Sequence, residues 1–217
     1  MSNQIPYQTT TESLRYRMRL FMKNKPALFG LIVILFVLVL VVFGPVLSLY
    51  DPLDIDFSVK LSPPTRDHPL GTDNYGRDIL SRIFSGARYT LLAALISVFI
   101  GLSLGTPLGV SAGYFGKTPD LIIMRIMDVL LAFPPLILAM AIVSGLGPSL
   151  ENASVAIGIS YVPHFARLVR SRAINVRKMD YVEAAVSMGS PRVRILLSDV
   201  LPNCLTPLIV QATVYTG

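Results

Sequence analysis

Three stretches of more than 20 residues carry no charged residue: residues 27–50, 89–116 and 129–150, which are 24, 28 and 22 residues long. Each exceeds the roughly 20 residues that a helix needs to cross about 30 Å of hydrocarbon. The pattern therefore predicts a first span over residues 27–49, a second over 89–113 and a third over 121–143. Pro134 and Pro135 interrupt the third and predict a kink there, since prolines are tolerated in membrane helices beside neighbours that satisfy the freed carbonyls. A fourth span starts at Ala153. Its uncharged part ends after 14 residues at Ala166, so Arg167 and Arg170 must snorkel to extend it. A fifth apolar run, residues 203–217, has 15 uncharged residues, about 22 Å as a helix, and the chain is expected to end inside that span.

The polar stretches set the order of these spans. Residues 1–11 are polar and expected to lack structure. Residues 12–25 mix Leu14, Met18 and Phe21 with Arg15, Arg17, Arg19 and Lys23, a pattern that suits a helix on the membrane surface or a solvated basic leader. Either way five basic residues precede the first span, against Glu12 alone, and the positive-inside rule places the N-terminus in the cytoplasm. The apolar run that follows is too long for a cleaved signal and reads as a retained anchor. Residues 50–88 have six acidic and five basic residues with Pro52, Pro63, Pro64 and Pro69, which suits a folded external segment. Inside it Ile79, Ile83, Phe84 and Ala87 share a helical face and predict an interfacial helix leading into the second span. Gly101, Gly105 and Gly109 form a small-residue ladder that predicts close helix packing.

Composition supports an all-α polytopic membrane protein. The chain is 53% hydrophobic and 15% charged, too little charge to cover a soluble domain of 217 residues. The net charge of +6 comes from basic residues flanking apolar spans, which points to membrane lipid and away from nucleic acid. The single cysteine, Cys204, excludes an internal disulfide.

The densest basic cluster runs from Arg167 to Arg194, with seven Lys/Arg against Asp180 and Glu183. Counting spans from a cytoplasmic N-terminus also puts it inside. Within it, residues 180–202 predict a helical hairpin. Asp180 and Glu183 suit a capping box, and Tyr181, Ala184, Ala185 and Met188 form one narrow apolar face. Gly189 ends that helix, and Ser190 and Pro191 restart it as N-cap and first residue. Val193, Leu196, Leu197 and Val200 repeat the spacing, opposite Arg192, Arg194 and Asp199. Such a hairpin fits either a linker on the headgroups or a docking helix that enters a partner's groove.

Spacing separates the two. Glu183-Ala184-Ala185, Gly189, then Leu201-Pro202 resembles the E-A-A loop of ABC importer permeases, with Asp199 departing from the Ile or His common there. His68-Pro69-Leu70-Gly71-Thr72-Asp73, Gly76-Arg77-Asp78 and Gly86-Ala87-Arg88 resemble the external segment of the C-type subunit of the dipeptide, oligopeptide and nickel permease family. Arg125, Met127 and Asp128 followed by Ala132-Phe133-Pro134, and Leu201-Pro202-Asn203, resemble the same family. The resemblance implies a MetI-like transmembrane fold with six spans in the complete subunit, about five of them in this chain. It implies residues 1–26 as a cytoplasmic N-terminal segment and 27–217 as the permease domain, with an external segment at 50–88 and a coupling loop at 172–202. It assigns Glu183, Ala184, Ala185, Gly189, Leu201 and Pro202 to coupling with an ATPase.

The function so implied is import of di- or oligopeptides across a bacterial or archaeal plasma (inner) membrane, with nickel or glutathione import as the alternative. The partners would be a homologous B-type permease, two cytoplasmic ATP-binding subunits that hold ATP and Mg, and an external solute-binding protein. The chain itself is expected to be no enzyme and to hold no cofactor and no metal; the substrate-binding residues stay unassigned. Gly116-Lys117-Thr118 only partly matches a phosphate loop, since Ser111 stands where its first glycine belongs, and reads as a turn. An intramembrane protease would need a buried nucleophile and base; His68 is external, and His164 reads as a packing group. Asp128 and Arg125 lie three apart and predict a local ion pair. A channel is the remaining rival, and the docking loop argues against it.

Overall fold

The computed structural model describes residues 21–216, so residues 1–11 and most of the expected surface helix, residues 12–20, lie outside the described residues. The chain divides into two compact units at Tyr89 and Thr90.

The first unit contains α1, Lys25–Leu47. Asn24 begins it: its side-chain oxygen accepts from the Ala27 N–H at 3.3 Å. Pro26 sits in the first turn, where its missing N–H costs nothing. Almost every side chain of α1 is exposed, which suits a helix surrounded by lipid.

After α1 the chain ties itself into a small polar knot around a 3₁₀ turn, Phe57–Val59. The Ser62 N–H donates to the Thr72 hydroxyl at 2.9 Å, and that hydroxyl donates to the Val59 carbonyl. Asp73 accepts from the backbone N–H groups of Tyr75 at 2.8 Å and Arg77 at 3.1 Å. It also pairs with the guanidinium groups of Arg77 at 2.8 Å and Arg82 at 2.6 Å. Desolvation opposes the Asp73 charge, but the hydrogen bonds from Arg77 and Tyr75 outweigh it and hold the carboxyl at about 2. Asp78 caps the next helix by accepting from the Ser81 N–H at 2.7 Å, and it holds His68 Nδ1 at 3.1 Å. Desolvation resists its ionisation too, and the bonds from Ser81 and His68 still leave it below the usual carboxylate range. Gly76 has φ +74°, and a Cβ there would lie 1.7 Å from the Asp56 carbonyl oxygen, so no larger residue fits.

α2 runs unbroken over Ile79–Phe115, 37 residues or about 55 Å at the standard rise. The expected interfacial helix is therefore no separate element. Its apolar face continues into the second span because nothing between residues 84 and 90 breaks the hydrogen-bond ladder.

The second unit is organised around α5, Leu150–Val176. Ser149 caps it by accepting from the Asn152 N–H at 3.0 Å. The helix continues ten residues beyond Ala166, where the uncharged run ends. One side of α5 is buried from Ser154 to Val176, including Phe165, Ala166 and Val169. The glycine ladder of α2 lies against it and extends by one more step. A Cβ at Gly105 would stand 2.8 Å from the Val162 carbonyl oxygen, at Gly109 2.3 Å from that of Ala166, and at Gly113 2.6 Å from that of Arg170. Numbers rise together along both helices, so α2 and α5 run parallel. In lipid, apolar surface gains nothing by leaving water, so close backbone approach and interhelical hydrogen bonds hold such a pair. One such bond is the Ser97 hydroxyl donating to the Ser154 carbonyl at 2.8 Å.

The expected third span is two helices, α3 (Lys117–Leu131) and α4 (Pro135–Leu146), bent 88° from each other. The break is much sharper than a kink because Pro134 caps α4 and Pro135 opens it, leaving no ladder across the join. Asp128 pairs with Arg167 of α5 at 2.5 Å, not with Arg125 as the spacing predicted. Asp120 accepts from Arg170, with Nη2 at 2.6 Å. Partner numbers fall as α5 numbers rise, so α3 is antiparallel to α5. The chain then passes through α6 (Asp180–Ser187) and α7 (Arg192–Ile195), a π turn (Leu196–Val200), and α8 (Leu201–Thr216).

Candidate functional site

α6 and α7 form the expected hairpin, built differently at both ends. Met179 is the N-cap of α6 and no side chain caps it, so the Asp180–Glu183 capping box does not form; both acids lie inside the first turn. There they favour the helix through its positive N-terminal dipole. At the other end Gly189 has φ +78°. Its N–H donates to the Val186 carbonyl at 3.0 Å and the Ser190 N–H donates to that of Ala185 at 3.1 Å. This is the Schellman pair of bonds that a C′ glycine allows. Pro191, not Ser190, is the N-cap of the second arm.

The faces also differ from expectation. The predicted stripe Tyr181, Ala184, Ala185 and Met188 points largely outward: Tyr181 is 46% and Met188 78% exposed. Val182 roots α6 in the core, beside Ile195, Val200 and Cys204. In the second arm Val193 and Leu197 are exposed, while Ile195 and Val200 are buried.

The cause is the π turn. Pro202 lacks an N–H, and its ring would clash with the Ser198 carbonyl in a regular helix. The chain relieves this by lengthening one turn: the Leu201 N–H bonds to the Leu196 carbonyl, five residues back. The extra residue rotates the upstream turn, so the buried series runs Ile195, Val200, Cys204, Leu208 with a first step of five. Residues 192–216 form one continuous, bulged helix of 25 residues. The fifth span therefore begins in the hairpin itself and not after Pro202.

Among the residues singled out, Glu183 is exposed, and no ion pair joins it to another described residue. Ala184 is exposed, and Ala185 is half-buried against the core. Gly189 is exposed with nothing within 4 Å of a built Cβ. Leu201 packs on the core and Pro202 is exposed. The structure thus brings the E-A-A helix and the glycine together on one open surface. Leu201 and Pro202 act one step away, by shaping the helix that roots it.

An open cleft of about 760 Å³ lies between this hairpin and the turn after α2, with Tyr114, Lys117, Arg177, Glu183, Gly189 and Arg192 on its walls. Arg177 Nη1 donates to the Tyr114 carbonyl at 2.8 Å, satisfying a C-terminal carbonyl of α2 and pinning α5 to it. Gly116 (φ +63°) and Lys117 (φ +47°) form the turn expected of the partial phosphate-loop match. His164 stacks near Tyr215, ring centroids 5.6 Å apart, beside Tyr161 and Phe165, which suits packing.

Sequence reasoning missed the Arg167–Asp128, Arg170–Asp120 and Arg177–Tyr114 contacts. The signal was present in the spacing of Arg167, Arg170 and Arg177 along one side of α5, but their partners lie 39 to 63 residues away in sequence.

Residues 105–217 match the family model described as binding-protein-dependent transport system inner membrane component. Residues 14–64 match the N-terminal TM domain of oligopeptide transport permease C. A dipeptide transport system permease protein of Alkalihalophilus pseudofirmus is 45% identical over 90% of this chain and 64% of its own length. A probable D,D-dipeptide transport system permease protein of Escherichia coli is 42% identical over 86% of this chain and 62% of its own. A glutathione transport system permease protein of Pectobacterium atrosepticum is 38% identical over 92% and 66%. The chain spans about two thirds of the length of these curated relatives. It belongs to the family of binding-protein-dependent transport system inner membrane components.

Proposed function

We propose that this chain is the peptide-permease part of an ATP-driven importer and that α6 is the element by which an ATP-binding subunit moves it. The observation that carries the reading is the split character of the hairpin. Val182, Ile195 and Val200 are fully buried, so the element is rigidly rooted. Glu183, Ala184 and Gly189 are left exposed; among the described residues no ion pair holds Glu183, and nothing lies within 4 Å of a Cβ built at Gly189. The small alanine keeps the helix thin enough to enter a groove.

The parallel run of α2 and α5 fits the topology proposed from charge. Both descend toward the basic end, and α3 returns from it. With the N-terminus in the cytoplasm, the hairpin and the cluster from Arg167 to Arg194 face the cytoplasm. Two ATP-binding subunits carry ATP and Mg, a homologous permease completes the pathway, and a solute-binding protein delivers cargo from outside. Closure of the ATPases draws the two hairpins together and shifts the spans between inward-open and outward-open states, a population shift set by differential contacts at α6.

Di- or oligopeptides are the favoured cargo, since two of the relatives are named for dipeptide transport. A third is named for glutathione, itself a tripeptide. The test is reconstitution of the full-length protein with its genomic partner subunits in liposomes. ATP-dependent accumulation of a labelled dipeptide, competed by unlabelled dipeptide, is expected. Uptake that persists without the ATP-binding subunits, as through a channel, contradicts the reading.

A further inference from the structure

Asn203 was singled out only as the last residue of a Leu-Pro-Asn run, yet its side chain joins three parts of the molecule. Its amide nitrogen donates to the Asp199 carbonyl at 2.7 Å, across the junction of the π turn and α8. The same nitrogen donates to the Tyr181 hydroxyl at 3.0 Å, on α6. Tyr181 stands two residues before Glu183, on the open side of the helix whose root is Val182.

We infer that Asn203 is a positioning residue for transport: through Tyr181 it locks the rotation of the α6 helix to that of the fifth span. The inference rests on the proposed coupling role of α6. α6 otherwise meets the second arm and α8 through the covalent turn at residues 188–191 and through apolar packing, with Val182 and Ala185 against the cluster that holds Ile195, Val200 and Cys204. Dispersion contacts of this kind are non-directional. A hydrogen bond is directional and weakens steeply off-line. Asn203 therefore adds a directional constraint on the rotation of α6 that apolar packing alone does not supply.

Its place beside the π turn gives that constraint a use. A π turn holds one residue more than the regular helix, and such turns often sit at functional positions. Pro202 favours this one, since it has no N–H to give the Ser198 carbonyl and its ring crowds that carbonyl in a regular helix. A push on α6 is transmitted through Tyr181 to Asn203, below the bulge, in addition to Ile195 above it. The force thereby enters α8 directly and is not absorbed at the bulge.

The test uses the full-length protein in its assembled transporter, with wild type, Asn203→Ala, Tyr181→Phe and the double variant. Tyr181→Phe keeps the ring and removes only the hydroxyl. The readouts are subunit level in the membrane, ATP hydrolysed, and substrate imported per ATP. Each single variant is expected to assemble at the wild-type level, hydrolyse ATP, and import roughly 3- to 10-fold less per ATP, the scale of one hydrogen bond. The double variant should match Asn203→Ala, since Tyr181→Phe removes a bond that Asn203→Ala has already removed. Unchanged import per ATP in either single variant, or additive losses in the double, overturns the inference. A parallel fall in assembly and in both rates marks a merely structural role and also overturns it. Wild type that shows no ATP-driven import at all rejects the coupling reading instead, so the two failures are distinguishable.

Discussion

The polar knot at residues 56–82 and the hairpin at residues 180–202 are each built on family-like runs of residues, and the two runs are spent in opposite ways. In the knot nearly every marked side chain is occupied at home. Thr72 bonds to Val59 and Ser62, Asp73 to Arg77 and Arg82, and Asp78 to His68 and Ser81. Gly76 is walled in by Asp56. In the hairpin the marked residues Glu183, Ala184 and Gly189 touch little, while unmarked ones, Val182 and Ile195, supply the anchor. A recurring pattern thus marks internal satisfaction in one place and openness in the other. Only the second is free to meet a partner.

Substitution at two positive-φ glycines, Gly76 buried in the knot and Gly189 exposed on the hairpin, separates these uses most strongly. Gly76→Ala drives a methyl into the Asp56 carbonyl in a conformation that already disfavours side chains. It should destabilise the first unit by roughly 3 kcal/mol or more. Limited proteolysis of the full-length protein in detergent should cut the knot, with little full-length protein left in the membrane. At Gly189 an added Cβ meets nothing within 4 Å, so Gly189→Leu incurs chiefly the backbone strain, roughly 1–2 kcal/mol. The subunit should insert and resist protease as wild type does, yet ATP hydrolysis should be uncoupled from uptake. Normal uptake in that variant, or loss of the subunit from the membrane, would erase the contrast.

Acid gives the smallest effect, and it is read at the knot. Asp73 titrates at about 2, below its ordinary 3.8. A depressed carboxyl contributes stability that is fully present above about pH 4 and is lost as pH falls through about 2. Protease resistance of the knot should fade across that window, and Asp73→Asn should show the weaker resistance already at neutral pH. A variant indistinguishable from wild type at neutral pH would mean that the Arg77 and Arg82 contacts do not hold the segment.

Much of this arrangement was legible in the sequence, and the rest was hidden for identifiable reasons. Uncharged length gave α1 and the membrane part of α2, and the spacing of Gly101, Gly105 and Gly109 gave the packing face, because both signals are local. Gly189 as a helix end was legible for the same reason. The faces of the hairpin were not. A period of 3.6 assigns Val193 and Leu197 to the core, and one extra residue before Pro202 moves Ile195 there instead. The bend between α3 and α4 was visible as Pro134-Pro135 but its size was not, since two prolines fix where a ladder ends and not where the next helix points. The arginine contacts of α5 depend on which helices meet, and that is decided by packing across 39 residues or more.

The central claim is that the open face of α6 meets an ATP-binding subunit. It is tested most directly by single cysteines for bifunctional cross-linking in the assembled, full-length transporter. Cys204 is buried and should stay silent as background. The account predicts that Ala184→Cys forms a cross-link to an ATP-binding subunit, and that its yield changes when ATP binds. Val182→Cys, rooted in the core at 1% exposure, should give none. An active transporter in which Ala184→Cys never reaches an ATP-binding subunit would contradict the account.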